Sequence, residues 1–251
     1  MKALPHRSSK YFETVCCAGI GRDRRWRRQY PVPFRILNDG QKFRRWNWIS
    51  YKFTTSPNDQ RVESQKVIPE SISVSGSLKK AERGPFLNPL IRQSFAQANE
   101  RNESLTILKP EKITLFHAKK SDDEIDKERR RHAELANQLS LFDATAKPLE
   151  PCPVHFRLRW GDPDGKTREH DCDDWETSTA YMRFRRDYGE CEAIKILKSK
   201  YEDEYFSAGL VLAFSTHKLR NVTHGTANQW LLVGLIRLDD FPQDDLLLGT
   251  D

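Results

Sequence analysis

Apolar positions fall in short runs along this chain, most of them strand-sized and separated by polar or proline-containing turns. Glu13 to Ile20 (ETVCCAGI) reads as a buried strand closed by Gly21 and the polar turn around Asp23, and Arg25 to Tyr30 reads as its hairpin partner. Pro31 and Pro33 predict an end to ladder pairing, after which Phe43 to Phe53 (FRRWNWISYKF) resumes strand composition. Residues 11–75 therefore predict a small antiparallel sheet or barrel. Ser56 to Pro69 is polar and reads as a loop, and the Ser-rich stretch to Ser77 has room for one short strand.

Asn88 and Pro89 are start signals for a helix to about Asn102, with Ile91, Phe95 and Ala98 at helical spacing. Leu105 to Leu108 and Lys112 to His117 are β-like. Ser121 to Leu139 carries the clearest helical pattern, with Ser121 and Glu124 spaced as a capping box and Ile125, His132, Leu135, Ala136 and Leu139 forming one apolar stripe. Its RRR run (Arg129 to Arg131) reads as a solvated face. Asp143 to Pro153, with three prolines, reads as a linker. Val154 to Trp160 alternates strictly, and the turn GDPDG (Gly161 to Gly165) folds Lys166 to Cys172 back onto it. Helices at about Asp174 to Tyr188 and Glu190 to Tyr205 precede two apolar strands, Phe206 to Phe214 and Gln229 to Leu238, and an acidic tail.

No internal repeat is visible, and the order of elements favours an α+β fold with antiparallel sheets over a doubly wound one. The expected organisation is a basic β-rich domain over residues 1–77, a helical connecting region over 78–142, and an α+β domain over 143–251.

Composition suits a folded globular protein: 31% charged, 37% hydrophobic and 10% aromatic residues in 251. The net charge of +6 is unevenly spread. Residues 1–53 hold 13 Lys or Arg against three acids (Glu13, Asp23, Asp39), so the rest of the chain is net acidic. Such asymmetry points to a polyanionic partner. Five cysteines without regular spacing do not make a disulfide framework, Met1 to Lys10 does not resemble a signal peptide, and the longest apolar runs are too short to span a bilayer. A cytoplasmic protein with no membrane association is expected.

The segments KYFETVCCAGI, WRRQYPVPFR, FRRWNWI, ESLTILKP, SLFDATAKPLE, HDCDDWE and QWLLVGLI, spread from Tyr11 to Leu238, together resemble an uncharacterised family of bacterial proteins of about this length. The resemblance implies a setting beside mobile elements and antiphage-like gene clusters, and it brings no established activity. Relatives tend to carry extra cysteines near the second hairpin, whereas Gly161 to Gly165 has none. The N-terminal strand pair is also similar to OB-type small barrels.

The principal functional signal is RDRRWRR, in which Arg22, Arg24, Arg25, Arg27 and Arg28 surround Trp26, reinforced by Arg35, Lys42, Arg44 and Arg45 near Trp46 and Trp48. Guanidinium groups pair bidentately with phosphate, and interleaved aromatics stack on unpaired bases. On a strand, Arg25 and Arg27 share one face while Trp26 and Arg28 share the other. The structural alternative is that these arginines neutralise acids elsewhere in the chain or in a partner protein. Trp26, Trp46 and Trp48 are expected in the core rather than as stacking platforms.

Two further constellations stand beside it. Cys152, His155, His170 and Cys172 bracket one hairpin and are zinc-ligand types. If Trp160 lies opposite Lys166, Phe156 faces His170 and His155 falls on the opposite face, which argues for buried cysteines and surface histidines instead. His170, Asp173, Asp174 and Glu176 (within HDCDDWE) lie where a strand gives way to a helix, and carboxylates there suit either Mg²⁺-dependent phosphodiester hydrolysis or the cap of the helix. Cys16 and Cys17 sit in an apolar strand and read as structural. Phosphate-loop, dinucleotide-binding and nucleophile-elbow motifs are missing from the sequence. The favoured expectation is a nucleic-acid-binding component (DNA or RNA) of a bacterial defence or mobile-element system, without cofactor or catalysis, joined by a protein from the same operon. The alternatives are a metal-dependent nuclease and a protein-binding adaptor.

Overall fold

A computed structural model describes residues 1–8, 12–56, 59, 61–140, 148–216 and 229–239. Seven strands come first: β1 (His6–Ser8), β2 (Phe12–Ile20), β3 (Trp26–Val32), β4 (Asn47–Ser50), β5 (Phe53–Thr55), β6 (Ser64–Val67) and β7 (Ser73–Ser77). Helix α1 (Lys80–Leu87), β8 (Ile91–Arg92), α2 (Phe95–Glu100), β9 (Leu105–Leu108), β10 (Lys112–Lys119) and α3 (Asp122–Ser140) follow. The chain continues with β11 (Val154–Gly161), β12 (Thr167–Asp171), α4 (Trp175–Tyr188), α5 (Glu190–Ser199), a π-helical turn over Lys200–Tyr205, β13 (Leu210–Thr216) and β14 (Trp230–Arg237). The α+β class is as expected, with N-terminal sheet, helices in the middle, and C-terminal strands accompanied by two helices. Among the described residues, no helix is long and apolar enough to cross a membrane.

The chain forms two compact units. The first joins Met1–Ser77, His117–Phe156 and Asp173–Thr179; the second joins Leu78–Phe116, Arg157–Cys172 and the described residues from Ala180 onward.

The first unit is built on a five-stranded sheet in the order β1-β2-β3-β6-β5, beside which β4 and β7 form a separate pair. The described strands make an open sheet, so the barrel alternative is not realised. All pairs are antiparallel except β3 with β6. One side of the sheet supplies Val15, Cys17, Val32 and Val67 to a core completed by Leu37, Phe43 and Ile72, with Phe34, Ile49 and Trp175 packed against it. Phe34 stands edge-on to Phe43 (ring centroids 5.2 Å) and to Trp175 (5.8 Å). Helix α3 lies next to β2 and begins with the expected capping box: the Glu124 backbone N–H donates to Ser121 Oγ (3.3 Å), and Glu124 Oε2 accepts the Ser121 N–H (2.9 Å).

In the second unit the four-stranded sheet runs β14-β13-β9-β8. β9 and β13 are buried almost throughout, which is why LTIL and LVLAF read as continuous apolar runs rather than alternating ones. β12 pairs antiparallel with β11 and presents His170 to a buried aromatic group of Phe95, Trp160, Phe214 and Trp230. The π-helical turn places Glu202 Oε1 on the Leu115 N–H (2.6 Å).

Several expectations are corrected. Pro31 does not end β3, because a register irregularity between Val15 and Cys17 on β2 lets pairing resume at Val32. The polar segment Ser56 to Pro69 contains β6, whose parallel pairing with β3 no local signal announces. The single helix from Asn88 to Asn102 is instead a 3₁₀ turn at Asn88–Leu90, the short strand β8 and helix α2 capped by Ser94, since Ile91 pairs with Ile107 of β9. Phe206 remains helical, and Gly209, at φ 79°, reverses the chain before β13. Trp160 lies opposite Arg168, not Lys166; this shift of two residues keeps His155 and His170 on opposite faces. Part of the Asp143 to Pro153 linker and the acidic tail lie outside the described residues.

Candidate nucleic-acid interface

The turn between β2 and β3 is fixed by its own backbone and by Asp23. The Gly21 N–H donates to the Arg25 carbonyl (3.0 Å) and the Arg24 N–H to the Gly21 carbonyl (2.9 Å), with Arg24 itself at φ 56°. Asp23 Oδ1 accepts the Arg25 N–H (3.2 Å) and Oδ2 accepts Arg27 Nη2 (2.6 Å). That hydrogen bond from Arg27 holds the Asp23 carboxyl below the usual range. Gly21 permits the close approach: a Cβ there would stand 2.5 Å from Asp23 Oδ1. Arg22, Arg24 and Arg25 consequently project into solvent from a braced loop.

Beside the turn lies an aromatic ring. Ile49 of β4 packs on the core, whereas its neighbour Trp48, between Asn47 and Ile49 where the pairing with β7 shifts register, is half-buried and outside that core cluster. The Arg22 guanidinium sits over the Trp48 ring at 4.3 Å from its centroid. Trp26 and Trp46 are likewise half-buried, so none of the three tryptophans is the core residue expected of it. Arg44 is exposed just before β4, its backbone N–H donated to Asn47 Oδ1 (2.7 Å).

The other arginines of the basic segment are drawn inward. Arg28 is only 6% exposed and faces Glu63 (3.7 Å), on the strand face shared with Trp26. Arg27 is held by Asp23. Arg45 reaches Glu176 (2.7 Å) and Asp174 (3.6 Å), and Arg35 pairs with Glu13 (2.7 Å). The arginines of the basic segment therefore divide, residue by residue, into exposed ones (Arg22, Arg24, Arg25, Arg44) and ones that neutralise acids of the same unit.

The acidic segment is organised around the start of α4. Asp174 is fully buried; its Oδ1 accepts the Glu176 N–H (3.2 Å) and its Oδ2 the Thr177 hydroxyl (3.1 Å), an N-cap arrangement. Burial pushes its pKa up to about 6 despite the opposing Arg45 charge, and Glu176 adds to the rise. The Asp173 carbonyl accepts the Leu4 N–H (3.1 Å). Next to this cap, Lys2 Nζ donates to the Phe43 carbonyl (3.0 Å) and lies 3.9 Å above the Phe34 ring. These groups neutralise one another within the first unit, a cluster that sequence spacing did not foretell because Lys2, Arg45 and Asp174 are far apart along the chain.

His170 belongs to the second unit, and Asp173, Asp174 and Glu176 belong to the first. Trp160 Nε1 donates to His170 Nδ1 (3.0 Å); an indole N–H only donates, so Nδ1 carries the lone pair and the ring proton is on Nε2. Of the candidate zinc ligands, Cys152 and His155 belong to the first unit and His170 and Cys172 to the second. His155 is exposed near Glu124 (3.7 Å), while burial raises the Cys152 thiol pKa and pushes that of Cys17 up to about 12. Among the described residues, no group of three or more His, Cys, Asp or Glu side chains is placed to hold a metal ion.

The fold and this surface define an α+β protein of two units, the first bearing a braced arginine turn beside a tryptophan. The chain belongs to the family described as a domain of unknown function (DUF8757), matched over residues 90–247, and a second domain of unknown function (DUF8758) is matched over residues 1–89. Comparison with curated proteins and with solved structures found no match.

Proposed function

We propose that this chain is a non-catalytic nucleic-acid-binding component that holds the phosphate backbone through Arg22, Arg24 and Arg25, with Arg44 as a flanking contact. The observation that carries this reading is the exposure of those four arginines while Arg27, Arg28 and Arg45 are engaged by carboxylates of the same unit. An arginine buried against Asp or Glu offers little to a phosphate, whereas an exposed one on a fixed turn is within its reach. The acids around Asp174 are read as a helix cap, and among the described residues no group of three or more His, Cys, Asp or Glu is placed to hold the metal that the nuclease alternative needs. Following the family resemblance, the chain works in the cytoplasm as part of a bacterial defence or mobile-element system, where a protein from the same operon completes the assembly.

The test is the salt dependence of binding. Each phosphate neutralised contributes roughly 0.7 to 0.9 to the slope of log K against log[salt]. Replacing Arg24 and Arg25 together by alanine should flatten that slope by about 1.5. An unchanged slope contradicts the proposal, and copurification with an acidic protein but no nucleic acid would support an adaptor instead.

A further inference from the structure

We propose that the turn takes single-stranded rather than duplex nucleic acid, with the Trp48 indole as the platform for one unpaired base, which displaces the Arg22 guanidinium on binding. This rests on the reading that the turn binds nucleic acid, and goes beyond it in naming the form bound and the residue that selects it.

Trp48 is half-buried outside the core cluster that Ile49 joins, and the Arg22 guanidinium lies over its ring, at 4.3 Å. A guanidinium plane and a nucleobase are interchangeable partners for an indole face. The exchange favours the base, because base–indole stacking is stronger than a solvent-exposed cation–π contact. The displaced Arg22 keeps its charge and joins Arg24 and Arg25 of the same turn, where a phosphate adjoining the stacked nucleotide meets it. One displacement thus yields a stack and an ion pair. Bases in a duplex are stacked on each other and present only edges and phosphates, so a duplex meets the arginines without the ring.

The experiment measures binding of the intact chain to a fluorescein-labelled oligothymidylate of about 15 nucleotides and to a duplex of about 15 base pairs. The single strand should bind more tightly and quench tryptophan emission. Trp48→Ala should weaken single-strand binding about tenfold while leaving duplex binding within about twofold. Trp48→Phe keeps an aromatic face and should retain most of the single-strand affinity while losing the quench. If the alanine variant fails to fold, Trp48→Leu, which keeps apolar bulk without a π face, should show the same roughly tenfold loss. Equal losses on both nucleic acids, or none on the single strand, overturn the stacking role. In that case the Arg24→Ala/Arg25→Ala variant, expected to weaken both, still decides whether the turn binds phosphate; no binding of either nucleic acid by the unaltered chain overturns both proposals.

Discussion

Replacing Arg45 by alanine separates the arginines that build the first unit from those that face a ligand. Arg45 is 16% exposed in its side chain and stands between Glu176 (2.7 Å) and Asp174 (3.6 Å), the latter fully buried. Removing one partner of a buried ion pair costs about 3–5 kcal/mol, because the other charge is stranded without water or a counter-ion. Two features reduce that figure. Glu176 is partly exposed and can be hydrated, and Asp174, whose pKa is already raised to about 6, keeps its cap hydrogen bonds and can take up a proton. A loss of roughly 2–3 kcal/mol at neutral pH follows. With a urea slope of about 3 kcal/mol per molar, the unfolding midpoint should drop by about 0.7–1 M. The assay is urea denaturation followed by circular dichroism, paired with a salt titration of oligonucleotide binding at a urea-free, fully folded condition. A midpoint that moves by less than about 0.2 M, or a binding slope that flattens by about 0.7 as for a lost phosphate contact, refutes the assignment of Arg45 to the scaffold.

Three other substitutions bear on the same account. The raised pKa of buried Asp174 means that the folded chain binds a proton the unfolded chain has already released, so the unit loses stability as the pH rises from about 4 to above 6. Asp174→Asn should flatten the urea midpoint across that window, and an unaltered profile would contradict the burial argument. Asp59 runs the opposite way: burial raises its pKa, but hydrogen bonds from Arg61 and Ser64 outweigh that and bring it down to about 2. Its contribution is present above about pH 4 and is lost as the pH falls toward 2, so Asp59→Asn should remove part of the acid sensitivity measured in that range. In the second unit, His170→Ala removes an aromatic-sized ring from among Phe95, Trp160 and Phe214 and leaves the Trp160 indole N–H without its acceptor. A loss of about 3 kcal/mol is expected, with a reduced near-ultraviolet dichroism signal; a loss below about 1 kcal/mol would mean that the ring is not packed as described.

Local signals carried much of the fold. The hairpin β2–β3, the alternating strand β11, the capping box of α3 and the apolar pair β13–β14 are each decided by neighbours in sequence, so periodicity and turn residues suffice to find them. Elements decided by distant partners stayed hidden. β6 is a polar tetrapeptide, Ser64–Val67, that becomes a strand because β3 and β5 flank it, and β8 is two residues of an expected helix recruited by β9. Helix α1 contains Gly84 and Pro85, which argue locally against a helix. The candidate site divided in the same way. Its basic composition was plain, but Arg22, Arg24 and Arg25 look like Arg27, Arg28 and Arg45 in sequence, and the pairing of the latter three with Asp23, Glu63, Asp174 and Glu176 depends on the fold. That Ile49 joins the core while Trp48 stays half-buried outside it is not revealed by the aromatic-rich run Phe43 to Phe53.

The most direct test of the central claim is the salt titration of the Arg24→Ala/Arg25→Ala variant against the unaltered chain, with the same oligothymidylate and the folded state checked by circular dichroism. The account predicts weaker binding and a slope of log K against log[salt] flatter by about 1.5. Parallel lines of equal slope would contradict it and return the basic turn to the role of a solvated surface.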